Sequence, residues 1–188
     1  MAHSIQDFKS ALIGGGARPN LFEVNIPAPP AGVNLTSNFP ILCKTAALPA
    51  SNIASIDIPF RGRIFKVAGD RTFDTWTITV INDQDFTIRK AFETWMQSIG
   101  QYGDASGFTD PSDYMVDAFV KQFKRGASTT GTGVATGTGL EVAATYQFYS
   151  IFPTNISAID LSYDTSDTIE EFTVEFQVQY WTPAENKA

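Results

Sequence analysis

The clearest pattern in the chain lies in residues 170–181, where Phe172, Val174, Phe176, Val178 and Tyr180 alternate with Glu171, Thr173, Glu175, Gln177 and Gln179. A period of two puts the apolar set on one face of a strand and the polar set on the other. Residues 71–81 repeat the pattern, with Trp76, Ile78 and Val80 opposed to Thr75, Thr77 and Thr79. Ile88, Phe92, Trp95 and Ile99 then recur at helical spacing and predict an amphipathic helix over residues 83–99. Asn82 stands where a cap belongs, with Asp85 three residues later.

The remaining elements are shorter. Residues 4–12 predict a short helix that Gly14-Gly15-Gly16 ends, so residues 1–16 read as a flexible N-terminal arm. A strand over residues 21–26 is closed by Pro27-Ala28-Pro29-Pro30, and another is predicted over residues 39–47. Residues 53–67 read as a hairpin, with Ile56, Ile58 and Phe60 alternating up to the turn at Arg61-Gly62-Arg63. Pro59 has no N–H to give a ladder, which places the hairpin at an edge or on an arm that protrudes from the body.

A strand over residues 114–124 runs into residues 126–139, a Gly/Thr-rich stretch without core-forming side chains that reads as a flexible loop. Strands over residues 141–152, 156–163 and 170–181 finish the chain. Many strands with one helix predict a mainly β fold, a β-sandwich or half-barrel with one flanking α-helix.

Composition agrees and narrows the function. In 188 residues, 43% hydrophobic, one domain can bury a sizeable core. The 15 Phe, 6 Tyr and 3 Trp suit half-buried pleated surfaces. A formal net charge of -7 argues against a nucleic-acid-binding surface, which works by neutralising phosphates with Lys and Arg. Cys43 is the single cysteine, so no internal disulfide is available. No signal peptide or membrane-length apolar run is present in the sequence, which predicts a protein soluble when made.

Candidate chemistry is sparse, and the expectation is a protein that is not an enzyme and uses no cofactor or metal. His3, the only histidine, falls in the arm, where a catalytic base would lack a preorganised setting. Cys43 sits beside Leu42 in a predicted strand and reads as a small core residue. Asp83 with Asp85, or Asp110 with Asp113, lack the run of ligands that a calcium loop needs. Gly131-Thr132-Gly133 and Gly137-Thr138-Gly139 precede a strand, not the helix of a phosphate cradle. Asn34-Leu35-Thr36 and Asn155-Ile156-Ser157 match the glycosylation pattern, which carries no weight without a secretion signal.

The last strand poses a different question, because it is long, regular and unbroken by Pro or Lys. Proteins rarely leave such an edge open, and closing the sheet with copies of the chain would remove it. A ring is the economical solution. The basic hairpin tip and the Gly-hinged arm supply features that reach toward a second ring.

Several blocks also resemble one family. Ala17-Arg18-Pro19-Asn20-Leu21-Phe22-Glu23-Val24, Cys43-Lys44-Thr45-Ala46-Ala47-Leu48-Pro49, Val67-Ala68-Gly69-Asp70-Arg71-Thr72-Phe73-Asp74-Thr75-Trp76, Asn82-Asp83 and Phe152-Pro153-Thr154-Asn155-Ile156 resemble, in order and spacing over nearly the whole chain, the tail tube proteins of contractile-tailed bacteriophages. The Gly/Thr-rich stretch departs from that pattern in being longer. The resemblance implies a β-sandwich subunit with a flanking helix, closing as a hexameric ring around a continuous inner β-barrel. It further implies stacked rings inside a sheath, contacts with baseplate and tail terminator proteins, and a tape-measure protein in the lumen during assembly. DNA would pass through without specific binding, in a virion tail assembled in the host cytoplasm.

On that reading the candidate contacts between rings or subunits are Arg18, Asn20, Arg61, Arg63, Lys66, Asp70 and Arg71. The expected lumen-facing residues are Glu171, Thr173, Glu175 and Gln177, because an acidic wall would not hold a duplex that carries about one negative charge per 1.7 Å. Three alternatives remain open. The chain could serve a tailocin or another contractile injection particle; it could be a monomeric binding module with Trp181, Tyr149 or Tyr163 as stacking platforms; or it could be a glycosidase-like enzyme with paired carboxylates.

Overall fold

The alternating stretches fold as antiparallel strands in two layers that share one long strand. The computed structural model describes residues 4–12, 16–104, 106–127, 140–164 and 166–184. Along them run α1 (Ile5–Ala11), β1 (Phe22–Asn25), α2 (Phe39–Leu42), β2 (Cys43–Ala46), β3 (Ser51–Phe60), β4 (Arg63–Phe73) and β5 (Trp76–Ile81). α3 (Thr87–Ile99), α4 (Pro111–Tyr114), β6 (Val116–Ala127), β7 (Leu140–Ile156), β8 (Glu171–Gln177) and β9 (Tyr180–Ala184) follow. The strand order is β1-β6-β7-β8-β5-β2, with β9 also on β7. One layer holds β1, β6, the first half of β7 and β9; the other holds β2, β5, β8 and the second half of β7.

β7 changes layer at Ser150, whose φ of 52° is left-handed. The register against β6 slips there, from Ala118↔Phe148 to Val116↔Ile151. Asp117 holds the corner: its carboxylate accepts from the Ser150 backbone N–H at 3.1 Å and from Gln147 Nε2 at 3.5 Å. Such a bulge lets one strand bend from one sheet into another.

The core between the layers is apolar, with no buried polar or charged residue among those described. Trp76 of β5 lies with its ring 4.7 Å from that of Phe148 in β7, stacked across the layers, and 5.3 Å from Phe176. α3 closes the side of the core with Ile88, Phe92 and Trp95, all fully buried. Phe92 meets Phe39, Phe172 and Phe176, and the Trp95 indole N–H donates to the Tyr114 carbonyl at 2.9 Å. Each such ring contributes roughly 1.5–3 kcal/mol by leaving water.

Several sequence expectations change. The strand over residues 39–47 is a helical turn, Phe39–Leu42, followed by β2, because Pro40 fits the first turn of a helix and cannot donate to a ladder. The hairpin is longer than residues 53–67 and its return strand ends at Phe73, so the strand over residues 71–81 divides before Trp76. The helix over residues 83–99 begins only at Thr87, with Phe86 at φ 56° in the cap position. Asn82 does not cap it; its backbone and side-chain amides donate to Glu170 at 2.9 and 2.7 Å instead. Asp83 accepts from the Thr87 hydroxyl, which holds its carboxyl below the ordinary value. That contribution is present at neutral pH and is lost as pH falls through the lowered value.

The strand over residues 141–152 is part of β7, which runs on to Ile156; the strand over residues 156–163 does not form, since no described residue between Ile156 and Glu171 is in a strand. The strand over residues 170–181 breaks at Val178 and Gln179 into β8 and β9. β8 is also not an edge, since β5 and β7 flank it. The strands with a single bonded neighbour are β1 and β2 at the ends of the order and β9 beside β7, so the open edges lie elsewhere than on β8. In the arm, α1 forms with a capping box between Ser4 and Asp7. Gly126 and Ala127 extend β6, while residues 128–139 of the predicted loop and His3 lie outside the described residues.

Candidate assembly interface

The β3–β4 hairpin forms a sheet of its own, bonded to no other strand. At ~3.3 Å per residue its ten-residue β3 spans about 33 Å. The two-residue turn uses φ 46° at Arg61 and 80° at Gly62, the type I′ geometry that matches strand twist, and Gly62 meets it without a Cβ.

Cross-strand pairs Ile56↔Val67, Ile58↔Phe65 and Phe60↔Arg63 set one face, and Asp57↔Lys66 and Pro59↔Ile64 the other. Ile56, Ile58, Phe60, Phe65 and Val67 therefore form an apolar stripe, and every one of them is exposed. A lone two-stranded ribbon is marginal in water, so this stripe calls for a partner surface.

The residues singled out from sequence divide between places. Arg61, Arg63, Lys66, Asp70 and Arg71 are exposed along the hairpin. Arg61 lies over the Phe60 ring at 5.4 Å, and Lys66 pairs loosely with Asp57 at 3.9 Å. Arg18 and Asn20 stand apart from them, exposed just ahead of β1; the Arg18 carbonyl accepts from Leu21 N–H at 3.3 Å. Sequence reasoning passed over Ile64, Phe65 and Val67, although a ribbon apolar on both strands was visible in the alternation. It also passed over Asp117, for which no local signal exists.

Glu171, Thr173, Glu175 and Gln177 are half-buried and alternate with Phe172, Val174, Phe176 and Val178, which are buried. They share the face directed away from the core with their β5 partners Thr79, opposite Thr173, and Thr77, opposite Glu175. Lys44 of β2 reaches across to Glu171 at 2.6 Å. The face is thus polar and acidic, with one cation tied down.

Cys43 is buried, and burial pushes its thiol up to about 12. Alkylation of the folded protein at pH 8 should be at least tenfold slower than after denaturation, read by mass spectrometry; equal rates would place the thiol in solvent. Two of the three proposed aromatic platforms are occupied: Trp181 packs on Phe73 and Tyr146, and Tyr149 stacks on Tyr180 at 4.5 Å. Among the described residues no three His, Cys, Asp or Glu side chains gather as a metal site would require.

An apolar core, an exposed apolar ribbon and a polar outer face fit the class of structural subunits. The chain belongs to the phage tail tube protein family, whose sequence model matches residues 17–184. It is 34% identical over 168 residues to tail tube protein gp19 of Enterobacteria phage T4, covering 89% of this chain and 92% of that one. It is 23% identical over 178 residues to the tail tube protein of Serratia phage KSP90, with 93% of each covered.

Solved structures share the fold. The tube-terminating cap of the anti-feeding prophage matches with a TM-score of 0.59 at 16% identity, covering 90% of this chain and 91% of that chain. A chain of the sheath-tube complex of an extracellular contractile injection system matches with a TM-score of 0.56 at 13% identity, covering 97% and 99%.

Proposed function

We propose that this protein is the subunit of the inner tail tube of a contractile phage, a virion component that works by shape and charge without catalysing a reaction. The observation that carries the reading is the β3–β4 ribbon, whose apolar stripe the subunit leaves in water. Family membership supplies the setting.

The second layer supports ring closure. Its strands alternate in direction from β2 through β5 and β8 to β7. β2 has one bonded neighbour, and residues 152–156 of β7 run past the first residue of β6. Joining β2 of one copy to that part of β7 in the next keeps the antiparallel alternation and adds four strands per copy. Six copies would close a barrel with no exposed edge, leaving the ribbon to engage the adjacent ring. The wall facing the lumen would then carry Glu171, Thr173, Glu175 and Gln177, with α3 on the outside toward a sheath. Arg18, Asn20, Arg61, Arg63, Lys66, Asp70 and Arg71 serve contacts between copies. Baseplate, terminator and tape-measure proteins are the expected further partners, met in the host cytoplasm.

Negative-stain microscopy of the purified chain, seeded with baseplates, tests this. Tubes with sixfold cross-sections are expected; subunits that stay monomeric on competent seeds would overturn it. The lumen assignment has its own test. Particles carrying Glu171→Lys and Glu175→Lys should eject DNA several-fold more slowly, since cations on the wall bind phosphates, and normal ejection rates would remove these residues from the lumen.

A further inference from the structure

The hairpin and the segment between β7 and β8 stand at opposite ends of the second layer. Register shows this directly. β5 begins at Trp76 opposite Phe176 and ends at Ile81 opposite Glu171. The hairpin joins the Trp76 end, since β4 stops at Phe73 and Ser51 pairs with Phe73. The segment leaves β7 at Ile156 and enters β8 at Glu171, so it caps the other end.

The two ends also match chemically. Phe60, Ile64 and Phe65 give the hairpin tip an apolar surface, and Arg61 and Arg63 give it charge. At the far end, residues 158–163 and 168–171 line an open groove. Leu161, 83% exposed, and Ile169, 72% exposed, present apolar surface there together with Tyr163. Asp160, Asp164, Asp167 and Glu170 lie in this segment, which contains no Lys or Arg. Among the described residues no cation pairs with Asp160, Asp164 or Asp167, and all three are exposed.

We propose that the groove lined by residues 158–163 and 168–171 receives the Phe60-to-Phe65 hairpin tip of the copy in the adjacent ring. This rests on the tube reading and names the receptor for the ribbon. A patch on one end that fits a patch on the other is a heterologous contact, which repeats without closing and so stacks rings in one direction. Opposite charge guides the approach, and the apolar side chains of tip and groove cover one another.

Charge reversal in three chains tests the pairing. Arg61→Glu with Arg63→Glu, and separately Asp160→Lys with Asp164→Lys, should each shorten seeded tubes at least tenfold in electron micrographs. One chain carrying all four changes should recover most of the length, because the attraction is restored with its sign inverted. Normal tubes from the groove variant, or no recovery in the combined chain, would overturn the pairing. A second measurement is independent of charge. Arg63→Cys with Tyr163→Cys should give crosslinked ladders with a short bismaleimide in tubes and none in free subunits; tubes without ladders overturn the proposal. Wild-type chains that never elongate on seeds overturn the tube reading itself, and this inference with it.

Discussion

Trp76→Ala is expected to lower the stability of the subunit by about 3–5 kcal/mol, read as a shift of the urea midpoint of the purified monomer. Domains of this kind are stable by only about 5–15 kcal/mol, so much of the chain would be unfolded under mild denaturant. The size follows from position. Trp76 is fully buried in β5, an interior strand between β2 and β8, and its ring joins Phe148 of one layer to Phe176 of the other. Truncation removes contacts on both sides, and neighbours fixed in strands cannot collapse into the space. Trp76→Phe should recover a sizeable part of the loss. A shift below about 1 kcal/mol for the alanine variant would show that the two layers do not depend on this stack.

The opposite profile is expected for Ile58→Ser with Phe65→Ser. The pair sits face to face across the hairpin at 46% and 64% exposure. Little apolar surface is removed from water within the subunit, so monomer stability should change by no more than about 1 kcal/mol. Tube formation should be lost, because in the proposed assembly a second copy covers the stripe. Fluorescence melting and seeded elongation on the same preparation separate these effects. Wild-type tubes from this variant would show that the stripe stays in water after assembly. Together the variants distinguish residues that hold the fold from residues that join copies, within two stretches of the same alternating pattern.

That contrast explains how far the sequence could be read. Alternation placed Trp76, Ile78 and Val80 and the Phe172-to-Val178 set on buried faces, and helical spacing placed Phe92 and Trp95, because burial repeats with the period of the element. It could not tell that Ile56, Ile58 and Phe60, equally regular, stay exposed in the subunit, since a period reports a shared face and not what covers it. Asn82 was misread for a related reason: its partner Glu170 is far along the chain, and a long-range hydrogen bond outcompeted the local cap. The switch at Ser150 depends on Asp117, thirty-three residues away, and leaves no trace in local composition. Of the interface, the basic tip and the acidic alternation on β8 were legible as residues. That the hairpin and the acidic segment between β7 and β8 stand at opposite ends of one sheet required the register.

The corner at Ser150 has a mechanical consequence. Because β7 passes unbroken from one layer to the other, the two sheets are joined by peptide bonds as well as by side-chain contact. A shear applied to one layer is carried into the other along the backbone. The subunit resists delamination covalently, and a tube built as proposed should fail under shear first at the joints between copies.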